Sequence, residues 1–106
     1  MTNEHLVIRI QAGDNIAENM LQLWQQNKGY IYKVAHAYRD YGEEDDLIQE
    51  GYFGLSEAVD HYSPEEGALF ITYAGYWIRR KIARYIRKNS TVRFPDSMYT
   101  RIREYN

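Results

Sequence analysis

Residues 70–87 form a segment with two different faces. Its sequence is FITYAGYWIRRKIARYIR, and a helix with about 100° per residue places the side chains on two stripes. The apolar stripe consists of Ile71, Gly75, Ile78, Ile82 and Ile86. The other stripe is aromatic at its start and cationic at its end: Phe70, Tyr73, Trp77, Arg80, Arg84 and Arg87. The first stripe predicts packing against a core, and the second predicts a surface with a further purpose.

The composition limits the class of protein. With 106 residues, 44% of them hydrophobic, the chain has the size of one folded domain. It has no cysteine, which excludes disulfides and thiolate metal sites. No apolar run reaches the roughly 18 residues of a membrane span, and no signal-peptide pattern opens the chain. We therefore expect a cytoplasmic protein with no membrane partner.

Charge is distributed unevenly along the chain. Residues 40–66 contain ten acidic residues and no Lys or Arg, whereas residues 79–93 contain seven basic residues and no Asp or Glu. Blocks of opposite sign indicate two surfaces for two partners, or two blocks that pair with each other. The aromatic residues within the basic block favour two surfaces.

Helical periodicity runs along the chain, and no strand pattern interrupts it. Capping residues and apolar spacing predict an all-α, compact bundle of five to six helices. A break or kink is expected near residues 27–29, because Gly29 costs about 1 kcal/mol inside a helix. Gly51 and Gly54 fall in mid-helix, which indicates close approach of a neighbouring backbone. A last helix is predicted after Pro95, with Asp96 or Ser97 as its cap.

Patterns typical of an enzyme do not stand out in the sequence. His5, His36 and His61 lie far apart, and there is no phosphate loop or nucleophile motif. The acidic residues 43–46, with Glu50, could hold Mg²⁺ for nuclease chemistry, but consecutive acids on a helix point in different directions. We expect no catalytic residue, no metal and no cofactor.

The aromatic and basic stripe matches the chemistry of nucleic-acid binding. Aromatic rings stack on unpaired bases for roughly 1–3 kcal/mol per base. Arg and Lys neutralise phosphates. A stripe that begins with rings and ends with arginines fits a junction between single-stranded and duplex DNA. The alternative is a buried aromatic seam followed by an exposed basic tail, and the residues alone leave both open.

Longer stretches of the sequence resemble a known family. Residues 46–62 (DLIQEGYFGLSEAVDHY), 70–84 (FITYAGYWIRRKIAR) and 92–95 (VRFP) resemble region two of bacterial RNA polymerase sigma factors of the sigma-70 class. The resemblance extends back through residues 27–38, and residues 1–26 fit less distinctively. It implies a helical region-two domain over residues 1–93, with residues 94–106 as the truncated start of the next region.

The resemblance also implies two partners and the residues that meet them. Core RNA polymerase would dock through the clamp helices of its largest subunit on Asp45, Asp46, Gln49, Glu50, Tyr52 and Ser56. The non-template strand and duplex edge of the promoter minus-ten element would meet Asn27, Tyr30, Phe70, Thr72, Tyr73, Tyr76, Trp77, Arg80, Arg84, Arg87, Lys88 and Arg93. Tyr73 would stack on the flipped second base, whose capture starts melting. An anti-sigma protein is a further implied partner.

Three positions depart from the family pattern. Ala68 replaces an aromatic residue of primary sigma factors, Tyr76 replaces the first of a Trp pair, and Arg80 replaces a Gln. These departures imply an alternative sigma factor with altered promoter recognition. The competing interpretations are a general single-strand-binding module without polymerase, a metal-dependent nuclease, and a regulatory remnant that binds polymerase without melting DNA.

Overall fold

Residues 1–89 of the chain are described by a computed structural model. They form four α-helices: α1, Asn3–Gln11; α2, Ile16–Ala37; α3, Glu44–His61; and α4, Phe70–Asn89. Single 3-10 turns, Arg39–Tyr41 and Pro64–Glu66, follow α2 and α3. Residues 1–89 contain no strand, so the all-α prediction is confirmed for them. The helix predicted after Pro95 lies outside the described residues.

The predicted break at residues 27–29 is wrong, and residues 1–89 therefore hold four α-helices where five to six were expected for the chain. α2 continues because its buried residues keep a spacing of four through this region: Asn19, Leu23, Asn27, Ile31 and Ala35. Gly29 lies on the exposed side, where an added Cβ would meet nothing within 4 Å. Burial of Ile31 contributes about 1.5–3 kcal/mol, more than the roughly 1 kcal/mol that Gly costs in a helix.

Close approach of α3 and α4 organises the fold. A Cβ at Gly54 would lie 2.7 Å from the Cα of Ile78 and 2.8 Å from the carbonyl oxygen of Trp77. The predicted approach of a neighbouring backbone is thus confirmed at Gly54. At Gly51 the neighbour is instead a side chain of α2, because a Cβ there would lie 2.6 Å from Cγ2 of Ile31. The two glycines allow α3 to contact α4 on one side and α2 on the other.

The α3–α4 hairpin is antiparallel. The Tyr85 hydroxyl near the end of α4 donates to Asp46 near the start of α3, and the Tyr73 hydroxyl near the start of α4 donates to the carbonyl of His61 at the end of α3. α1 and α2 pack against this hairpin and complete one core. Fully buried side chains from all four helices fill it, among them Leu6, Leu23, Ile31, Leu47, Leu55, Phe70 and Ile78. Within residues 1–89, no helix combines the length and the apolar content needed to cross a membrane.

Candidate DNA-binding and docking surfaces

The apolar stripe of α4 faces the core largely as predicted. Ile78, Ile82 and Ile86 are buried, and Gly75 lies among them. Ile71 is only half-buried, because it lies in the first turn of the helix, at the edge of the core. The four-residue steps between the buried isoleucines fix the rotation of α4 about its axis, and this rotation decides which side chains remain accessible.

Phe70 does not belong to the accessible stripe, and its predicted place there is wrong. Its side chain is fully buried, and its ring packs edge-on against Tyr62 with centroids 5.2 Å apart. Helical spacing places Phe70 on the same face as Tyr73, three residues later, but also on the same face as the buried Ala74 and Ile78, four and eight residues later. At the first residue of a helix the side chain can follow either stripe, and burial of a large apolar ring favours the core.

Three rings and one arginine of α4 form a patch that we call the ring surface: the half-buried Tyr73 and Trp77 and the exposed Tyr76 and Arg80. The ring of Trp77 contacts Tyr73 and Tyr76 edge-on, with centroids 6.3 and 6.4 Å apart. Tyr76 is 41% exposed, and the guanidinium carbon of Arg80 lies 5.9 Å from the centre of its ring. Thr72 is exposed on the same helix. The structure thus brings these predicted residues together, while their contact with DNA stays a prediction.

His61, which the sequence analysis set aside as an isolated histidine, belongs beside the ring surface. Its imidazole stacks on Trp77 with centroids 4.8 Å apart and planes 23° apart. Its Nδ1 lies 2.9 Å from the carbonyl oxygen of Glu57, and since a carbonyl can only accept, Nδ1 carries the proton. His61 ends α3 as Tyr73 begins the accessible stripe of α4, so a predicted α3–α4 hairpin could have revealed this contact.

Asn27 and Tyr30, the two predicted DNA contacts on α2, form hydrogen bonds within the protein. Asn27 is 5% exposed, and its side-chain amide donates to the carbonyl of Leu23 at 2.7 Å and to Oδ1 of Asn3 at 2.9 Å. Tyr30 is half-buried, and its hydroxyl accepts a hydrogen bond from the guanidinium of Arg79. Contact of Asn27 with a base therefore requires that its amide leave these partners.

Arg79 is a buried neighbour of this region that the sequence analysis did not predict. It is 5% exposed, although it belongs to the basic block. Gly75, one turn earlier, makes room for it: a Cβ there would lie 3.0 Å from both Nη1 of Arg79 and the hydroxyl of Tyr30. The guanidinium thus links α4 to α2 and is not part of the ring surface.

The basic end of α4 borders an open groove of about 510 Å³. Arg84, Arg87 and Lys88 are exposed and line this groove with Glu50, Lys81, Tyr85 and Asn89. The concentration of positive charge fits a phosphate backbone. Arg93, also predicted to contact DNA, lies outside the described residues.

The predicted docking residues of α3 separate into two stripes. Asp45, Gln49, Tyr52 and Ser56 recur at steps of three and four residues and form the stripe that we call the outer face of α3. Asp45 and Gln49 are exposed, and the half-buried Tyr52 packs edge-on against Trp24 of α2 at 5.5 Å.

Phe53, 44% exposed and beside Tyr52, is a residue that the sequence analysis missed. An exposed aromatic residue within an acidic block was the available signal.

Asp46 and Glu50 lie instead on the edge of α3 that meets α4. Oδ2 of Asp46 accepts a hydrogen bond from the Tyr85 hydroxyl at 3.0 Å, and Glu50 lines the groove at the basic end of α4. Two turns after Glu50 on α3, Glu57 forms an ion pair of 2.7 Å with Lys81. The acidic and basic blocks therefore share an ion pair on this edge, and Asp45 and Gln49 remain exposed for another partner. Residues 1–89 contain no group of three or more His, Asp or Glu arranged to hold a metal.

The Asp46–Tyr85 contact also has an electrostatic consequence. The hydrogen bond to Asp46 raises the pKa of the Tyr85 hydroxyl above its ordinary value, and partial burial and the charges of Asp46, Glu50 and Glu43 add to the shift. Burial, with a contribution from the charge of Glu4, raises the pKa of Tyr62. Both hydroxyls remain protonated donors in the neutral range.

Comparison with known proteins identifies the family to which this arrangement belongs. The family model for Sigma-70 region 2 matches residues 23–92, which include α3, α4 and most of α2. This chain belongs to the sigma-70 region 2 family. The resemblance stated from the sequence is therefore confirmed, and α1 of this sigma region 2 chain lies outside the matched residues.

Two relatives illustrate the similarity. The chain is 42% identical over 87 residues to the RNA polymerase sigma-C factor of Myxococcus xanthus, which covers 81% of this chain and 29% of that protein. It is 38% identical over 99 residues to the RNA polymerase sigma factor RpoS of Coxiella burnetii, which covers 92% of this chain and 28% of that protein. The sigma region 2 chain thus spans less than a third of the length of these relatives.

Proposed function

We propose that this chain is the part of an RNA polymerase sigma factor that binds core polymerase and opens the promoter at the minus-ten element. Membership in the sigma-70 region 2 family supports the polymerase and the promoter as partners. The observation that carries the proposal is the ring surface, where Trp77 contacts both Tyr73 and Tyr76 and the exposed Arg80 lies beside the ring of Tyr76. The activity consists of binding and strand separation, and no covalent bond changes.

Tyr73, Tyr76 and Trp77 are assigned to the strand that leaves the duplex. Tyr73 stacks on the flipped second base of the non-template strand, a contact worth roughly 1–3 kcal/mol. Tyr76 and Trp77 occupy the upstream edge of the bubble, where the last stacked pair meets the first unstacked base. His61 already covers one face of the half-buried Trp77, and the indole Nε1 is buried, so Trp77 contributes only the part of its ring that remains accessible. Phe70 supports these rings from the core and takes no base.

The cationic half of α4 is assigned to DNA that remains double-stranded. Arg80 is exposed one turn after Tyr76 and approaches the first base pair, where a guanidinium can donate two hydrogen bonds to guanine. Arg84 contacts the phosphate backbone, with Arg87 and Lys88 beside it. The order of residues along α4 then follows the order of DNA from single strand to duplex.

The outer face of α3 is assigned to core polymerase. Asp45, Gln49, Tyr52 and Ser56 form one stripe on a helix that packs directly on α4. We propose that they meet the clamp helices of the largest subunit, with the exposed Phe53 as an apolar contact beside this stripe. Asp46 and Glu50 contribute at the margin, since they already face Tyr85 and the basic groove.

We further propose that the chain comes from an alternative sigma factor. Where an aromatic residue would add a stacking partner, Ala68 is exposed, and its carbonyl oxygen accepts a hydrogen bond of 2.6 Å from Tyr62. The loop before α4 is thus fixed through its backbone and offers no ring to DNA at this position. Weaker recognition of the minus-ten element follows.

The polymerase assignment is tested with the full-length factor and purified core RNA polymerase. Reversal of charge on the outer face, Asp45→Lys with Gln49→Lys, should weaken core binding by about 10- to 100-fold, because it places cations against a basic partner. The matched control is Glu18→Lys, an exposed acidic residue in the first turn of α2, which should change the affinity less than twofold. If the unaltered factor does not bind core polymerase, a general single-strand-binding module is the better description. If core binds and no DNA melts, the chain is a regulatory remnant.

A further inference from the structure

The N-terminal helix α1 contacts α4, which the proposed function assigns to DNA, and also α2, which carries the sequence-predicted contact Asn27. Two consecutive residues make these contacts: Asn3 reaches α2, and Glu4 reaches α4. Leu6 and Val7 of the same helix are fully buried, and Thr2 caps it by accepting a hydrogen bond of 3.1 Å from the amide of His5. α1 therefore presents Asn3 and Glu4 from a position fixed by the core.

The start of α4 lacks a capping group of its own. Leu69 precedes the helix and accepts the first backbone hydrogen bond, from the amide of Tyr73 at 3.2 Å, but a leucine side chain cannot accept one. The first turn of α4 contains no acidic residue. Oε2 of Glu4 accepts a hydrogen bond from the amide of Phe70 at 2.8 Å, so a carboxylate from α1 satisfies the first free amide of α4. A negative charge at this end also complements the helix dipole.

Asn3 makes a reciprocal contact with Asn27. Its Nδ2 donates to Oδ1 of Asn27 at 3.1 Å, and Nδ2 of Asn27 donates to Oδ1 of Asn3 at 2.9 Å. Gln26 donates to the same oxygen of Asn3 at 3.0 Å. The amide orientation of Asn27, which the family resemblance places among the DNA contacts, is thus set by α1.

The position of Glu4 influences the rings that follow. Phe70, which Glu4 holds by its amide, packs on Tyr62, and Tyr62 contacts Tyr73 with centroids 5.6 Å apart. Tyr73 is one turn into α4, so a shift at the first amide of the helix changes where its ring lies. From these contacts we infer that Glu4 is a positioning residue for promoter opening, which sets the start of α4 and hence the base-stacking position of Tyr73; this inference rests on the proposed function.

The test uses the full-length factor with core RNA polymerase, on a promoter that the unaltered holoenzyme selects from a randomised DNA library. The rate of strand opening is followed by permanganate reactivity of the non-template strand. Glu4→Ala should slow opening about 5-fold, the effect of losing one helix cap. Glu4→Gln keeps an acceptor without the charge and should fall between Glu4→Ala and the unaltered protein. The matched control is Glu18→Ala, which should leave the rate within about twofold, and core affinity should be unchanged in all three variants.

A double variant separates positioning from general weakening of the fold. If Glu4 acts through Tyr73, Glu4→Ala with Tyr73→Ala opens DNA no more slowly than Tyr73→Ala alone. Independent, multiplicative effects would overturn the inference. The inference would also be overturned if Glu4→Ala opened DNA at the rate of the unaltered protein. A third contrary result would be loss of core binding by Glu4→Ala together with normal opening by Glu4→Gln. These results leave the proposed function standing, whereas normal opening by Tyr73→Ala alone would refute the proposed function itself.

Discussion

Gly54 shows how a single residue sets the geometry of the candidate site. Its missing side chain allows the backbone of α3 to touch the backbone of α4 at Ile78 and at the carbonyl of Trp77. Any side chain at this position would separate the helices at the place where Trp77 stacks on His61. The position of the ring surface relative to α3 therefore depends on a residue that makes no contact with DNA in the proposed mechanism.

We predict that Gly54→Ala lowers the free energy of unfolding by about 2–3 kcal/mol, because the new Cβ meets backbone atoms that cannot rotate away. Gly29→Ala is the matched control, since Gly29 is also in mid-helix but has open space at its Cβ. It should raise the free energy of unfolding by about 0.5–1 kcal/mol through helix propensity. Urea denaturation measures both changes. Equal effects of the two substitutions would show that α3 and α4 do not approach as described.

At the level of single residues, the sequence correctly predicted the positions of those side chains that helical spacing alone determines. It placed Tyr73, Trp77 and Arg80 on one stripe, because the four-residue steps of the buried isoleucines fix the helix rotation, whereas Tyr76 entered only through the family resemblance. It failed for Phe70, which stands where both stripes begin, and burial of its ring decided the choice. The roles of Glu4 and His61 depend on contacts between helices, which one-dimensional periodicity cannot indicate.

At the scale of elements, an ion pair and a hydrogen bond between side chains join α3 to α4. Lys81 pairs with Glu57 at 2.7 Å, and the Tyr85 hydroxyl donates to Asp46 at 3.0 Å. The alternative in which the two charge blocks pair with each other is thus supported by the ion pair of Lys81 with Glu57. The existence of α3 and α4 was predictable from periodicity, and so was the backbone approach at Gly54. The continuity of α2 was not, because packing on both sides of Gly29 outweighed its poor helix propensity.

The hairpin contacts predict a loss of stability in alkaline solution. The hydrogen bond to Asp46 raises the pKa of Tyr85, and burial raises the pKa of Tyr62. Each raised pKa contributes stability that is complete below the unfolded pKa of about 10 and is lost as pH rises through the folded pKa. The free energy of unfolding should therefore fall above pH 10. Urea denaturation at several pH values between 8 and 11.5 measures this slope.

The double variant Tyr85→Phe with Tyr62→Phe isolates the two hydroxyls from the Lys residues that titrate in the same range. Its free energy of unfolding should fall less steeply above pH 10 than that of the unaltered chain. An unchanged slope would mean that neither hydroxyl has the raised pKa derived from its surroundings.

At the scale of the whole molecule, one small core supports two surfaces with different chemistry. The outer face of α3 carries Asp45 and Gln49, and the accessible side of α4 carries the ring surface and the basic residues beyond it. Because α3 and α4 touch through their backbones, the distance between the two surfaces is fixed by the fold. Under the proposed function, polymerase and promoter must be held at a fixed distance from each other, and the backbone contact between α3 and α4 supplies that distance. Substitutions on one surface should therefore remove one function and leave the other.

The most direct test measures strand opening and core binding on the same Tyr73 variants. In the holoenzyme, Tyr73→Ala should slow opening of the selected promoter by about 5- to 150-fold, the kinetic equivalent of one lost base stack. Its core affinity should stay within twofold of the unaltered factor. Tyr73→Phe keeps the ring and loses only the hydroxyl that donates to His61, so it should open DNA at close to the normal rate. Opening by Tyr73→Ala at the normal rate, or an equal loss of opening and core binding, would contradict the account.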